Sequence, residues 1–310
     1  MGTDMTKEDI LAMIQSDLKV CDANLKGIDL SRQDLSGCIF EDVDFRHARL
    51  TESGFSGAFF QRCTFTGADL SWTDLTSTII AECDFSGANL TRADLAESRI
   101  ENSDFTGANF TEADCAGVNF SSCILTGATF VKTDLAGGDL SGQDLTECRM
   151  VNADLHGCNC SKTTFTRADL TQANFRDAAL VKANLDGVTG PDADFTGASL
   201  TEVSCKNARL QGSFFEKADL TMGDFSRSDL KTCICTTAVC QRTKFVGADL
   251  TYADLSHADL EWADFQATDL TKARLHRIRE KDTNWRQANT DQAYGTDADL
   301  AEAEDWQPQY

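Results

Sequence analysis

Basic residues and long apolar runs are scarce in this sequence, and each scarcity argues against one class of function. Lys and Arg total 28 against 50 Asp and Glu, so the net charge is −22 and direct binding to nucleic acid is not expected. No apolar run is long enough to cross a membrane, and no secretory signal core follows the N-terminus. The sequence therefore predicts a soluble, cytoplasmic protein that binds neither nucleic acid nor membranes directly.

The sequence has instead a rhythm of five residues. In the stretch AECDFSGANLTRADL, residues 81–95, large apolar side chains recur at Phe85, Leu90 and Leu95. An α-helix turns about 100° per residue and would scatter them around its surface. A plain strand would place them on alternating faces, because five is an odd number. The chain must turn once per repeat, which is typical of a solenoid.

This rhythm continues without a slip from Leu25 to Leu275. Leu, Phe, Ile, Met or Cys occupies every fifth position except Gly190, and a small residue usually stands two positions earlier. Neither position carries a charged residue anywhere in this range, although 25% of the chain is charged. Because charges avoid a low-dielectric interior, both positions are predicted to face the core.

The repeated motif also includes Ala68-Asp69-Leu70, Ala168-Asp169-Leu170 and Ala248-Asp249-Leu250. This A(D/N)LXX pattern resembles the pentapeptide-repeat family, whose members form a right-handed quadrilateral parallel β-helix with four pentapeptides per coil. The resemblance implies an all-β solenoid of about 13 coils over residues 21–280.

Two segments flank the repeat. Residues 1–20 are predicted to form a short α-helical cap, since Thr6 suits an N-cap and Glu8 and Asp9 suit a first turn. Residues 281–310 are predicted to form a degenerate last coil and an acidic C-terminal tail. Within the repeat, Gly190-Pro191 predicts a local bulge or bend.

The 13 cysteines and four histidines do not form a catalytic or metal-binding pattern. All cysteines except Cys21 fall on the two inward positions and are expected to pack as reduced thiols. The histidines fall on outward positions: His47, His156, His257 and His276. Since no phosphate loop, nucleophile elbow or zinc-type spacing is present either, we predict no enzyme activity, no cofactor and no metal site.

Some apolar residues stand on outward positions, 20 residues apart, where successive coils should stack them. This spacing predicts one exposed column of Ile39, Phe59 and Ile79, and a second of Phe214 and Ile234. Exposed apolar columns indicate either contact with a partner or a covering element, such as the N-terminal helix.

Acidic residues follow the same spacing and predict a stripe: Asp74, Asp94, Asp114, Asp134 and Asp154. Aspartate in a turn often bonds its own backbone, so a structural interpretation stands beside partner binding. The acidity also resembles the quinolone-resistance members of the family, which bind DNA gyrase as DNA mimics.

We predict a non-enzymatic scaffold or adaptor that binds another protein through its apolar columns. The alternative is a DNA-mimic regulator of DNA gyrase or another topoisomerase that uses the acidic stripe. An N-terminal helix on a long, loop-free repeat is also similar to pentapeptide proteins of type VI secretion clusters, which implies a secretion effector as partner. The sequence leaves the identity of the partner and the oligomeric state open, a homodimer included.

Overall fold

The structure is a computed structural model that describes residues 3–4, 6–17 and 19–306. It contains two compact units, one ending at Thr164 and the other beginning at Phe165. The elements of the first unit are β1 (Thr3–Asp4), α1 (Lys7–Asp17), β2 (Lys19–Cys21), β3 (Ala23–Asn24), β4 (Ile39–Glu41), β5 (Phe59–Gln61), β6 (Ile79–Ala81) and β7 (Arg99–Glu101). The second unit contains helix α2 (Ala298–Asp305). Neither described helix is long and apolar enough to cross a membrane.

In each unit, coils stack in parallel at an offset of 20 residues. Strands β2, β4, β5, β6 and β7 form a five-stranded sheet, and β4 pairs with β5 so that Ile39 lies beside Phe59. Single bridges keep the same offset elsewhere, as between Asp74 and Asp94 in the first unit and Asp194 and Phe214 in the second. The predicted parallel β-solenoid is confirmed.

Four turns close each coil. The backbone enters the left-handed region at almost every fifth residue, for instance at Arg32, Gly37, Asp42 and His47, where φ is 61°, 68°, 56° and 57°. These turns re-aim each fifth side chain toward the axis of the coil, which accounts for a period that suits neither a helix nor a plain strand.

Both inward positions are buried in nearly every repeat, as predicted, and the half-buried exceptions are Ile28, Gln33 and Leu275. Leu90 is 0% exposed and Ala88, two positions earlier, is 1% exposed. Aromatic rings stack from coil to coil: the ring centroids of Phe45 and Phe65 are 4.8 Å apart, and those of Phe65 and Phe85 are 4.4 Å apart. The core is therefore a set of continuous apolar columns.

The prediction of a bulge at Gly190-Pro191 is wrong. Gly190 N donates to Arg209 O at 2.8 Å, so the ladder of backbone bonds runs through this position. A Cβ added to Gly190 would lie 3.1 Å from Leu210 Cδ2 and 3.3 Å from Leu170 Cβ. The glycine is explained by packing, because leucines from the coils on both sides fill the space of a side chain.

Helix α1 starts at an N-cap formed by Thr6. Asp9 N donates to Thr6 Oγ1 at 3.2 Å, and Thr6 N donates to Asp9 Oδ2 at 3.0 Å, which satisfies two terminal N–H groups reciprocally. Ile10 is fully buried, and the helix packs against β2. Residues 1, 2, 5 and 18 of the predicted cap lie outside the described residues.

The segment 281–310 contains a helix that the sequence pattern did not indicate. The coil offset continues into it, because Arg274 bridges Tyr294. Helix α2 follows, and its N-cap Asp297 accepts a hydrogen bond from Leu300 N at 3.0 Å. Residues 307–310 of the predicted acidic tail lie outside the described part of the chain.

Candidate functional site

One sheet of the first unit exposes an apolar column, here called the apolar ladder: Ile39, Phe59 and Ile79. Each is the first residue of a three-residue strand whose middle residue points into the core, so each points outward. The strand register places the three side chains directly beside one another. Ile79 is 43% exposed, and the other two are half-buried. The structure brings the predicted residues together, and their role in binding stays a prediction.

The charges on the outward side of the five strands that carry the apolar ladder cancel. Lys19 continues the column at one end and Arg99 at the other. Lys19 Nζ lies 3.3 Å from Glu41 Oε2, and Arg99 Nη2 lies 2.6 Å from Glu101 Oε1. Exposed ion pairs add little stability, but these two leave the outward side of the sheet without net charge. The apolar ladder is thus a neutral surface in a chain whose net charge is −22.

The second predicted column lies in the second unit and is shorter. Phe214 bridges Ile234, and Phe214 is 39% exposed while Ile234 is half-buried. Asp194 precedes Phe214 in the column and Asp254 follows Ile234. The acids at both ends make this apolar surface smaller and less neutral than the apolar ladder.

The acidic stripe forms successive bridges in the first unit: Asp74, Asp94, Asp114, Asp134 and Asp154. In all five, Oδ1 accepts the backbone N–H of the residue two positions ahead, at 2.9 to 3.0 Å. Asn109 makes the same bond with its own Oδ1 at 3.0 Å. The turn therefore requires a side-chain oxygen but no negative charge. The bond explains why a polar residue stands at each of these positions, but it does not explain why all five are carboxylates.

Buried thiols fill the core instead of forming a reactive site. Twelve cysteines are buried and free, and Cys21 is exposed. Cys158 and Cys160 lie in the core with their sulfur atoms 3.7 Å apart, while His156 is exposed. Burial raises the pKa of Cys148 to about 12, so its thiol is protonated and unreactive near neutral pH.

A polar cluster that the sequence analysis missed lies between the last coil and helix α2. Glu304 Oε1 lies 3.2 Å from His257 Nε2, and Glu304 Oε2 lies 3.2 Å from His276 Nε2 and 3.3 Å from Arg277 Nε. The prediction that every histidine faces outward is wrong for His276, which is 6% exposed because residues of the C-terminal segment enclose it. Only a prediction of helix α2 could have revealed the cluster.

Three of these side chains, His257, His276 and Glu304, have ligand atoms within 4.8 Å of one another, close enough for a metal ion. However, Asp297 N donates to His276 Nδ1 at 3.1 Å, so the proton of the neutral ring lies on Nε2, the atom that faces Glu304. A metal would need the lone pair of that atom. The arrangement therefore favours hydrogen bonds to a carboxylate over metal coordination.

Comparison with known proteins identifies the repeat. A family model described as pentapeptide repeats matches residues 19–234 and 243–279 in overlapping segments. No curated protein matches the sequence.

Solved structures of repeat proteins are similar to the chain at low identity. HetL, a pentapeptide repeat protein involved in heterocyst differentiation regulation from the cyanobacterium Nostoc sp. strain PCC 7120, is 24% identical, with 93% of this chain and 96% of that chain covered and a TM-score of 0.25. Rfr23 from the cyanobacterium Cyanothece 51142 is 22% identical, with 41% and 95% covered and a TM-score of 0.33. QnrB1, a plasmid-mediated fluoroquinolone resistance protein, is 15% identical, with 89% and 96% covered and a TM-score of 0.26.

Proposed function

The chain belongs to the pentapeptide-repeat family, and from this premise we propose that it is a non-enzymatic scaffold that binds another protein through the apolar ladder. One observation carries the proposal: Ile39, Phe59 and Ile79 form a contiguous, partly exposed column on a sheet whose outward charges cancel. Single apolar residues on a surface need no explanation, whereas a contiguous patch indicates an interface. A secretion effector is one candidate partner, and it is supported by the family resemblance alone.

The test is capture of a partner from the lysate of the native host by the wild type and by the double variant Phe59→Asp/Ile79→Asp. The partner should resist salt, because the face carries no net charge, and it should be lost from the variant, because an interface cannot bury two unpaired carboxylates. Ile124→Asp is the matched control: Ile124 is 53% exposed and holds the same repeat position outside the apolar ladder. A partner that survives the double variant, or that the control also loses, would contradict the proposal.

A DNA mimic that regulates DNA gyrase is the second candidate function, and the acidic stripe supports it. Coils about 4.8 Å apart give the stripe one charge per coil, against one per 3.4 Å along each strand of duplex DNA. The stripe alone thus reaches roughly two thirds of the charge density of one strand. We rank this function second because the charge density is lower and because one oxygen of each carboxylate already serves a turn.

The triple variant Asp94→Asn/Asp114→Asn/Asp134→Asn separates the two functions. Asparagine keeps the turn bond, as Asn109 shows, and removes three charges. A DNA mimic would lose affinity for gyrase, and the salt dependence of binding would become shallower. Unchanged affinity and unchanged competition with duplex DNA would exclude the acidic stripe as the binding surface.

A further inference from the structure

The last coil, residues 271–290, carries more bases than acids, although the chain as a whole is acidic. Residues 271–290 carry two acids, Glu280 and Asp282, in a chain whose net charge is −22. Six bases accompany them: Lys272, Arg274, Arg277, Arg279, Lys281 and Arg286. A local excess of cations attracts carboxylates, and the structure shows one carboxylate already bound there.

Three donors of this coil region converge on the carboxylate of Glu304. They are His257 Nε2, His276 Nε2 and Arg277 Nε, at 3.2, 3.2 and 3.3 Å. Asp297, the N-cap residue that precedes helix α2, donates its N–H to His276 Nδ1, which places the proton of the neutral ring on Nε2. A donor with a fixed tautomer is typical of a preorganised carboxylate site.

The helix that supplies Glu304 is held weakly. Helix α2 has eight residues and no buried side chain, whereas isolated helices shorter than about 12 residues are marginal in water. Its last turn carries Glu304 and Asp305 and no base, which opposes the helix dipole. Arg277 compensates, since its Nη2 donates to Ala301 O at 2.8 Å and pairs with Asp305. The order of the helix therefore depends on the same arginine that binds its carboxylates.

Space and apolar surface remain beside the bound carboxylate. A cavity of about 460 Å³ adjoins Glu304, and Arg274, Tyr294 and Leu300 contribute to its lining. Tyr294 is 61% exposed and Leu300 is 43% exposed. A ligand larger than helix α2 could cover Tyr294 while it bonds the same three donors.

We infer that His257, His276 and Arg277 form a docking site for the carboxylate of an acidic helical segment of a partner protein, and that Glu304 occupies this site when no partner is bound. Because the occupant is tethered to the site, its effective concentration is in the millimolar range. A partner displaces it by adding contacts to Tyr294, which helix α2 leaves exposed. The site lies in the second unit, so its failure would leave the proposal for the apolar ladder untouched.

The test uses a fluorescent peptide of sequence TDADLAEAEDW, residues 296–306 of this chain, as the probe. Its binding is measured by anisotropy to the full-length wild type and to the variant Glu304→Ala/Asp305→Ala, which vacates the site. If the site is occupied more than about nine-tenths of the time, vacating it should tighten peptide binding at least about tenfold. Glu302→Ala, which removes an exposed acid outside the cluster, should bind the peptide as the wild type does.

Two further measurements test which residues of the protein bind the peptide and whether the peptide carboxylate is required. Adding Arg277→Ala to the vacated variant should abolish binding, while adding Arg286→Ala, an exposed arginine of the same coil, should not. A peptide with Gln in place of Glu304 should bind at least several-fold more weakly. Thermal unfolding of every variant checks that the solenoid is intact.

Three results would overturn the inference. The vacated variant could fail to bind the peptide at millimolar concentration, which would make helix α2 a simple cap. Binding could persist without Arg277, which would place the peptide elsewhere. Micromolar Zn²⁺ binding to the wild type that is lost with His257→Ala would make the cluster a metal site.

Discussion

Phe59 and Phe60 are neighbours on β5 that face opposite sides, so alanine at each position should separate stability from binding. Phe60 is 0% exposed, and its ring centroid lies 5.2 Å from that of Phe40 and 5.3 Å from that of Phe65. Removing a buried phenylalanine costs about 3–5 kcal/mol, which includes the cavity that remains. Since each coil contacts only its neighbours, few side chains can move in to fill that cavity. We expect Phe60→Ala to reduce the free energy of unfolding by about 4 kcal/mol.

Phe59→Ala should reduce the free energy of unfolding much less, because Phe59 is only half-buried and lies beside Ile39 and Ile79 on the outward side of the sheet. Such cross-strand pairs contribute about 0.2–1 kcal/mol each. For a unit of about 150 residues, 1 kcal/mol shifts Tm by about 2–4 °C, so Phe60→Ala should lower Tm by about 8–16 °C and Phe59→Ala by less than about 8 °C.

Partner binding should respond in the opposite order, with loss in folded Phe59→Ala and retention in folded Phe60→Ala. Calorimetry and partner capture on the same preparations measure both quantities. Equal Tm losses would refute the assignment of Phe59 to a surface, and loss of the partner only with Phe60→Ala would refute the apolar ladder.

Other perturbations test the thiols, the packing of the core and the turns. A thiol reagent at neutral pH should label only Cys21 in the native chain and all 13 cysteines after denaturation, because the other thiols are buried. Gly190→Leu should destabilise the chain by about 1–3 kcal/mol in thermal unfolding, because leucines of neighbouring coils occupy the space. Burial alone would raise the pKa of Asp69, but hydrogen bonds, led by those from Ser71, outweigh burial and lower it. Its contribution to stability should therefore be complete above about pH 4 and lost as pH falls through the lowered pKa, a dependence that Asp69→Asn should reduce in acid unfolding.

The solenoid could be predicted from the sequence because its cause is local. Each repeat places one large and one small apolar residue inward and turns in the left-handed region, so every five residues carry the whole rule. Stacking at 20 residues then predicts which outward residues meet, which is why Ile39, Phe59 and Ile79 were found in one column.

Helix α2 could not be predicted by the same rule. Ala298-Asp299-Leu300 matches the repeat motif as well as the start of a helix, and the choice depends on contacts with the previous coils. His276 shows the consequence, because its burial arises from Asp297 and Glu304, which only the helix brings over it. The repeat pattern cannot predict a feature that arises where the chain departs from the repeat.

One alternative explanation of the apolar ladder needs a separate test. Among the described residues, only the sheet of β2, β4, β5, β6 and β7 pairs strands of three residues, and β-branched and aromatic side chains favour such pairing. Ile39, Phe59 and Ile79 could therefore serve the sheet alone.

Ile79→Thr distinguishes the two roles, because threonine keeps the β-branched shape and replaces a methyl-bearing arm with a hydroxyl. If the column serves a partner, Tm should change by less than about 4 °C while binding weakens, since an interface loses an apolar contact and must desolvate a hydroxyl. Ile124→Thr, at the same repeat position outside the sheet, is the matched control. Unchanged binding of the Ile79 variant would assign the column to strand pairing and would leave the acidic stripe as the surface to test.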